Sequence, residues 1–151
     1  MSGYEFIMLE ERQIKVAFCD DDEDLLFMYL EVSKKINVKA YVYPNVRDLL
    51  RQLDEVQPDV IVSDIDMPDI DGFGLLSGLL DLDIQLPFIF LTGHPSNENI
   101  RKSYARGAFD FLQKPVNIRE LDLAIKKAMT FHTPVKATSV MLAELLKKYA
   151  Q

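Results

Sequence analysis

From residue 14 to about residue 130, short apolar runs alternate with longer segments in which apolar residues recur every three or four positions, and the pair repeats five times. A strand that is followed by a helix and then by another strand of the same sheet returns parallel to the first. The pattern therefore predicts repeated βαβ units, a five-stranded parallel sheet and helices on both of its faces. The strands are expected at Ile14 to Cys19, Val38 to Tyr43, Val60 to Ser63, Phe88 to Leu91 and Phe109 to Leu112. Val60-Ile61-Val62 is continuous in its hydrophobicity, as a central strand covered on both faces must be.

The helices carry their own punctuation. Leu25, Tyr29, Val32 and Ile36 form one stripe, with Asp22, Glu23 and Asp24 at the positive end of that helix. Asn45 is placed to cap a second helix running to about Val56, with Asp48 answering it. A third follows Gly72, although Gly74 and Gly78 weaken its propensity. A fourth runs from about Ser96 to Arg106 and ends at Gly107, a natural left-handed cap. Asn117 with Glu120 opens the fifth, whose buried stripe is Leu121, Ala124, Ile125 and Ala128. Beyond it Pro134 breaks the chain before a further amphipathic helix, Ser139 to Tyr149, with Leu142, Leu145, Leu146 and Tyr149 at helical spacing. Such a stripe more often packs on its own domain than on a second copy, although a homodimer through it, or through a switching face, is also open. The expected division is an extension over 1–13, one domain over 14–130, and a linker with a C-terminal helix over 131–151. Those last residues are too few for a DNA-binding or catalytic module of their own.

Composition narrows the class. A chain of 151 residues with 48% hydrophobic and 27% charged residues has the balance of one globular domain. A net charge of −7 disfavours the basic footprint that direct nucleic-acid binding requires. No apolar run reaches membrane-spanning length, and the first residues lack the basic start and long apolar centre of a secretory signal, so the cytoplasm is the expected location. The single cysteine, Cys19, lies in an apolar strand and is expected to be a small buried hydrophobe.

Right-handed crossovers bring the C-terminal ends of all the strands to one edge of the sheet. That edge then collects Asp20 and Asp21 after the first strand, Asp64 after the third, Thr92 at the fourth and Lys114 after the fifth. Carboxylates about 4 Å apart repel by roughly 4 kcal/mol per pair at an effective dielectric of 20, so the cluster needs a cation. Oxygen ligands without histidine or cysteine favour Mg2+. With Lys114 beside Asp64, the set suggests a carboxylate nucleophile that attacks phosphorus while positive groups neutralise the phosphoryl oxygens.

Cys-Asp-Asp-Asp-Glu-Asp at 19–24, Pro-Asp-Val-Ile-Val-Ser-Asp-Ile-Asp-Met-Pro-Asp-Ile-Asp-Gly at 58–72, Phe-Leu-Thr-Gly-His at 90–94 and Gly-Ala-Phe-Asp-Phe-Leu-Gln-Lys-Pro at 107–115 resemble the receiver domain of two-component response regulators. The resemblance covers about residues 13 to 130 and implies a CheY-like doubly wound sheet of strand order 2-1-3-4-5. It implies that Asp64 accepts the phosphoryl group from the phosphohistidine of a sensor histidine kinase or a phosphotransfer protein. Asp21 would bind Mg2+ directly, Asp20 largely through metal-bound water, and Asp66 through its backbone carbonyl. Lys114 would pair with Asp64 or with the phosphoryl group, on a cis bond to Pro115. Thr92 and Phe111 would switch together and change which downstream protein binds the face of the fourth helix, fifth strand and fifth helix. The resemblance also implies a domain that would catalyse only its own phosphorylation and dephosphorylation.

Blander roles compete at several positions. Asp22 and Asp24 are expected only to stabilise a helix start, and Asp69 and Asp71 to shape the loop before Gly72. Phe111 could be plain core. His94 is expected on the rim of the site, and His132 carries no signal. The Asp64-Ile65-Asp66 stretch also fits the opening motif of haloacid-dehalogenase-like aspartyl phosphohydrolases, although Pro68 and the position of the acid pair ahead of the lysine depart from that pattern. A receiver-like binding module that takes no phosphate is a third possibility. The side chain of Asp66 is a candidate modulator of acyl phosphate hydrolysis.

Overall fold

Every crossover that parallel strands require is present in the computed structural model of the chain, which describes residues 12–131 and 139–150. The strands are β1 (Ile14–Cys19), β2 (Val38–Tyr43), β3 (Val60–Ser63), β4 (Phe88–Thr92) and β5 (Asp110–Gln113). They alternate with α1 (Glu23–Lys35), α2 (Val46–Val56), α3 (Gly72–Asp81), α4 (Asn97–Ala105) and α5 (Ile118–Phe131), and α6 (Ser139–Tyr149) follows. All pairs are parallel and the strand order is β2-β1-β3-β4-β5. The order reverses between β1 and β3, which sets a switch point at the C-terminal edge.

Strand alternation sorts the core into two layers. Val16, Phe18, Val60, Val62, Ile89 and Leu91 face α1 and α5, where Leu26, Tyr29, Val32, Leu121, Ala124, Ile125 and Ala128 meet them. Ala17, Cys19, Ile61, Phe88 and Phe90 face the opposite way, toward the leucines of α2 and α3. Leu26 is the buried leucine of the first turns, whereas Leu25 is half-buried against the same layer. β5 begins one residue later than the apolar run: the Phe109 amide already bonds the Phe88 carbonyl at 2.8 Å, and the strand ladder follows from Asp110.

Helix starts follow the side chains available to satisfy their free amides. Asp22 caps α1, Asn45 caps α2 with Asp48 beside it, and Ser96 caps α4. The Asn117 side chain accepts from the Glu120 amide at 3.0 Å at the start of α5. Gly107, at φ 95°, turns the chain out of α4. Asp71 caps α3, accepting from the Gly74 amide at 2.7 Å.

The C-terminal helix packs on the domain. Leu142 and Leu145 are buried in the layer formed by α2 and α3, Leu146 and Tyr149 pack against it, and the Tyr149 hydroxyl donates to the Gly74 carbonyl at 2.8 Å. Those two leucines are accordingly covered within the chain. Residues 1–11 of the extension expected over 1–13, and the linker around Pro134, with His132, lie outside the described residues.

Candidate functional site

The backbone ladder carries each candidate residue to the same edge. The Asp20 amide bonds the Tyr43 carbonyl at 3.1 Å, the Asp64 amide bonds the Cys19 carbonyl at 2.9 Å, and the Lys114 amide bonds the Thr92 carbonyl at 2.8 Å. Neighbouring strands thus hold the three chain segments in register just where their side chains leave the sheet. Gly72 lets α3 start close to this edge: a Cβ there would fall 2.3 Å from the Asp64 carbonyl oxygen, which no side chain tolerates. The Lys114-Pro115 peptide bond is cis, as expected.

Asp20, Asp21 and Asp64 each place a carboxylate oxygen so that all lie within 4.8 Å of one another. Asp20 and Asp64 are buried, and Asp21 is exposed. Lys114 Nζ sits 2.7 Å from Asp20 Oδ2 and 3.4 Å from Asp64 Oδ2. The lysine therefore bonds Asp20 more closely than Asp64, whereas pairing with Asp64 was expected. Its ammonium has three protons and stands between two buried anions, so it serves both. Burial raises the Asp64 carboxyl above its ordinary value; Lys114 opposes that shift and the Asp20 charge adds to it. Burial alone would lower Lys114, but the hydrogen bond and charge of Asp20, followed by Asp64, hold the ammonium above its ordinary value.

Three carboxylates and one ammonium give the cluster a net formal charge of −2, with only hard oxygen donors. That donor set fits a divalent magnesium-like cation and lacks the nitrogen or sulfur that zinc prefers. The Asp66 carboxylate is exposed and does not belong to the cluster. Asp69, at φ 71°, and Asp71 shape the loop as expected: Asp69 forms an ion pair with Arg47, which lowers its carboxyl, and Asp71 is the cap of α3.

Thr92 is fully buried, and its Oγ1 accepts from the His94 amide at 3.2 Å. His94 itself is exposed. Phe111 is half-buried and packs against the layer that contains α2 and α3.

A family model described as the response regulator receiver domain matches residues 16–126. The chain belongs to this family. Its receiver fold is equally evident among solved structures. The crystal structure of FixJ-N superimposes with a TM-score of 0.74 at 27% identity, covering 82% of this chain and 99% of that one. The receiver domain of the Francisella response regulator 1452 gives 0.73 at 29% identity, covering 78% and 98%. Among curated relatives, the DNA-binding transcriptional regulator NtrC of Proteus hauseri is 33% identical over 117 residues, covering 78% of this chain and 25% of its own length. The tetrathionate response regulatory protein TtrR of Salmonella typhimurium is 36% identical over 136 residues, covering 90% of this chain and 64% of its own length. The receiver chain thus spans about a quarter of the NtrC relative, whose 25% coverage contrasts with the near-complete match to isolated receiver structures.

One participant in this receiver site is not evident from the motifs. Tyr29 of α1, buried in the opposite layer, donates from its hydroxyl to Asp20 Oδ2 at 2.8 Å. Burial first, and then the nearby Asp20 charge, raise that phenol far above its ordinary value, so it remains a donor. Its place in an apolar helical stripe marks it only as core.

Proposed function

We propose that this chain is a phosphoacceptor of a two-component signalling system, with Asp64 as the residue that carries the phosphoryl group. The observation that carries the reading is the convergence of Asp20, Asp21 and Asp64 within 4.8 Å, with Lys114 Nζ 3.4 Å from the Asp64 carboxylate. An Asp64 oxygen attacks the phosphorus of a phosphohistidine on a sensor kinase or phosphotransfer protein. The new P–O bond forms as the P–N bond breaks, and the imidazole nitrogen leaves with the electron pair and takes up a proton. Asp20, Asp21, Asp64 and the backbone carbonyl of Asp66 would hold Mg2+, which when bound supplies positive charge to the phosphoryl oxygens. Lys114 supplies the second positive charge, already poised between Asp20 and Asp64.

The switch follows from the same edge. Thr92 Oγ1 has an amide donor now and a hydroxyl proton of its own to give, so it can turn to a phosphoryl oxygen. Phe111, half-buried on the neighbouring strand, is the group that follows it and alters the face of α4, β5 and α5. Its helices carry exposed Tyr104 on α4 and Ile118 and Leu123 on α5, and a downstream protein is the proposed occupant of the face, in the cytoplasm.

Incubation with Mg2+ and acetyl phosphate tests the reading by intact mass. A single base-labile phosphoryl adduct, absent from Asp64→Asn, is the expected result. Multiple turnover without accumulation would identify a phosphohydrolase instead, and no adduct would identify a binding module that takes no phosphate.

A further inference from the structure

Asp20 is one of the most enclosed charged groups among the described residues, 1% exposed, and its two oxygens are unequally engaged. Oδ1 accepts the Asp22 amide at 3.0 Å. Oδ2 accepts both Lys114 Nζ at 2.7 Å and the Tyr29 hydroxyl at 2.8 Å. A carboxylate oxygen has two in-plane lone pairs, so Oδ2 is filled by these two donors and the open position lies on Oδ1. The donors differ in freedom. Lys114 is a long half-buried chain with a second anion 3.4 Å away. Tyr29 is 2% exposed, and its ring is stacked on Phe18 with centroids 4.8 Å apart and planes inclined by 12°. The phenol is thus fixed by packing, while the ammonium can swing.

That asymmetry matters once Asp64 carries a phosphoryl group, and its consequence rests on Asp64 being the acceptor. The phosphoryl oxygens draw Lys114 toward Asp64 and away from Asp20. Asp20 Oδ2 then loses its closest charge-assisted bond in a place that bulk water does not reach, and leaving a buried carboxylate oxygen short of donors is costly. We propose that Tyr29 is a positioning residue that keeps Asp20 paired and oriented while Lys114 transfers from Asp20 to the phosphoryl group. A phenylalanine would fill the same stacked space. It would also leave Oδ2 dependent on Lys114 alone, so the lysine would be held back from its second partner.

The test uses the whole chain and beryllium fluoride, a phosphoryl mimic, titrated at saturating Mg2+ and followed by amide chemical shifts. Mg2+ affinity without the mimic is measured alongside, and urea unfolding checks the fold. Tyr29→Phe is expected to weaken the mimic by about tenfold, the loss of one hydrogen bond to a charged group, while Mg2+ affinity stays within about twofold. Tyr29→Leu, which also lacks the hydroxyl, should show the same split. Unchanged affinity for the mimic would overturn the inference, and so would an equal loss of mimic and Mg2+, which marks a general loosening of Asp20. Failure of the unsubstituted chain to bind the mimic would instead overturn the assignment of Asp64 as acceptor, and this inference with it.

Discussion

Gly78 separates helix propensity from packing in a way that can be measured. It lies inside α3, where alanine is intrinsically favoured over glycine by about 1 kcal/mol. A Cβ at this position, however, would stand 2.8 Å from Leu145 Cδ1 and 2.9 Å from the Tyr149 hydroxyl, against an optimum near 3.5–4.0 Å for carbon contacts. Both neighbours are ends of side chains on α6, so the overlap is relieved by displacing them. Displacing Leu145, 2% exposed, forfeits about 1.5–3 kcal/mol of burial, and losing the bond from Tyr149 to the Gly74 carbonyl forfeits about 0.5–1.5 kcal/mol more. Gly78→Ala should therefore destabilise the chain by about 1–3 kcal/mol in urea unfolding followed by circular dichroism. In a Leu145→Ala, Tyr149→Phe background, less stable to begin with, the obstruction is largely gone and the same substitution should stabilise by up to about 1 kcal/mol. The sign reversal is the diagnostic. Equal effects in both backgrounds would refute the claim that Gly78 exists to seat the C-terminal helix.

Other substitutions probe different parts of the structure. Asp59, 1% exposed, accepts two bonds from Arg12 at 2.6 and 2.7 Å and one from the Lys15 amide at 2.9 Å. Asp59→Ala should cost about 2–4 kcal/mol in urea unfolding, because the freed Arg12 is hydrated but the Lys15 amide loses a partner; a loss below about 0.5 kcal/mol would contradict this. Cys19 is pushed up to about 12 from 9.0, by burial first and then by Asp20, Asp64 and Asp21. The native state thus holds the thiol proton more tightly than the unfolded chain. Its contribution to stability is complete below about pH 9 and is lost as pH rises toward 12. Disulfide-exchange reagents at pH 8 should label Cys19 only at the rate of global opening, and rapid labelling of the native chain would refute its burial. Asp66 is exposed two residues after the proposed acceptor Asp64, where its carboxylate is available to orient water. Asp66→Asn should therefore lengthen the lifetime of the phosphorylated chain, and superimposable decay curves would remove that role.

How legible each feature is in the chain depends on the range of the contacts that create it. Val60-Ile61-Val62 reads as a central strand because both of its faces are covered, and no contact need be known to see it. Asn45 reads as a cap because the amide it satisfies is three residues away. The helix α3 is harder: Gly74 and Gly78 argue against it by propensity, yet Gly72 and Gly78 are required by partners distant in sequence, Asp64 in one case and α6 in the other. Packing outweighs propensity there, and only the fold says so. The acid cluster is legible for a topological reason, since strand ends on one edge must meet. The choice of Lys114 for Asp20 is not, because it turns on the difference between 2.7 and 3.4 Å.

Tyr29 lies between these cases. In the stripe of α1 it has the periodicity of a leucine, and Phe18 receives its ring as it would any apolar group. Its hydroxyl, though, must find a partner once buried. Side chains on a helix lean toward its N-terminus, and α1 begins at the same sheet edge that carries Asp20. A tyrosine two turns into that helix therefore aims its phenol back at the carboxylate that precedes the cap. Direction and the need for a partner together account for the 2.8 Å bond that periodicity conceals.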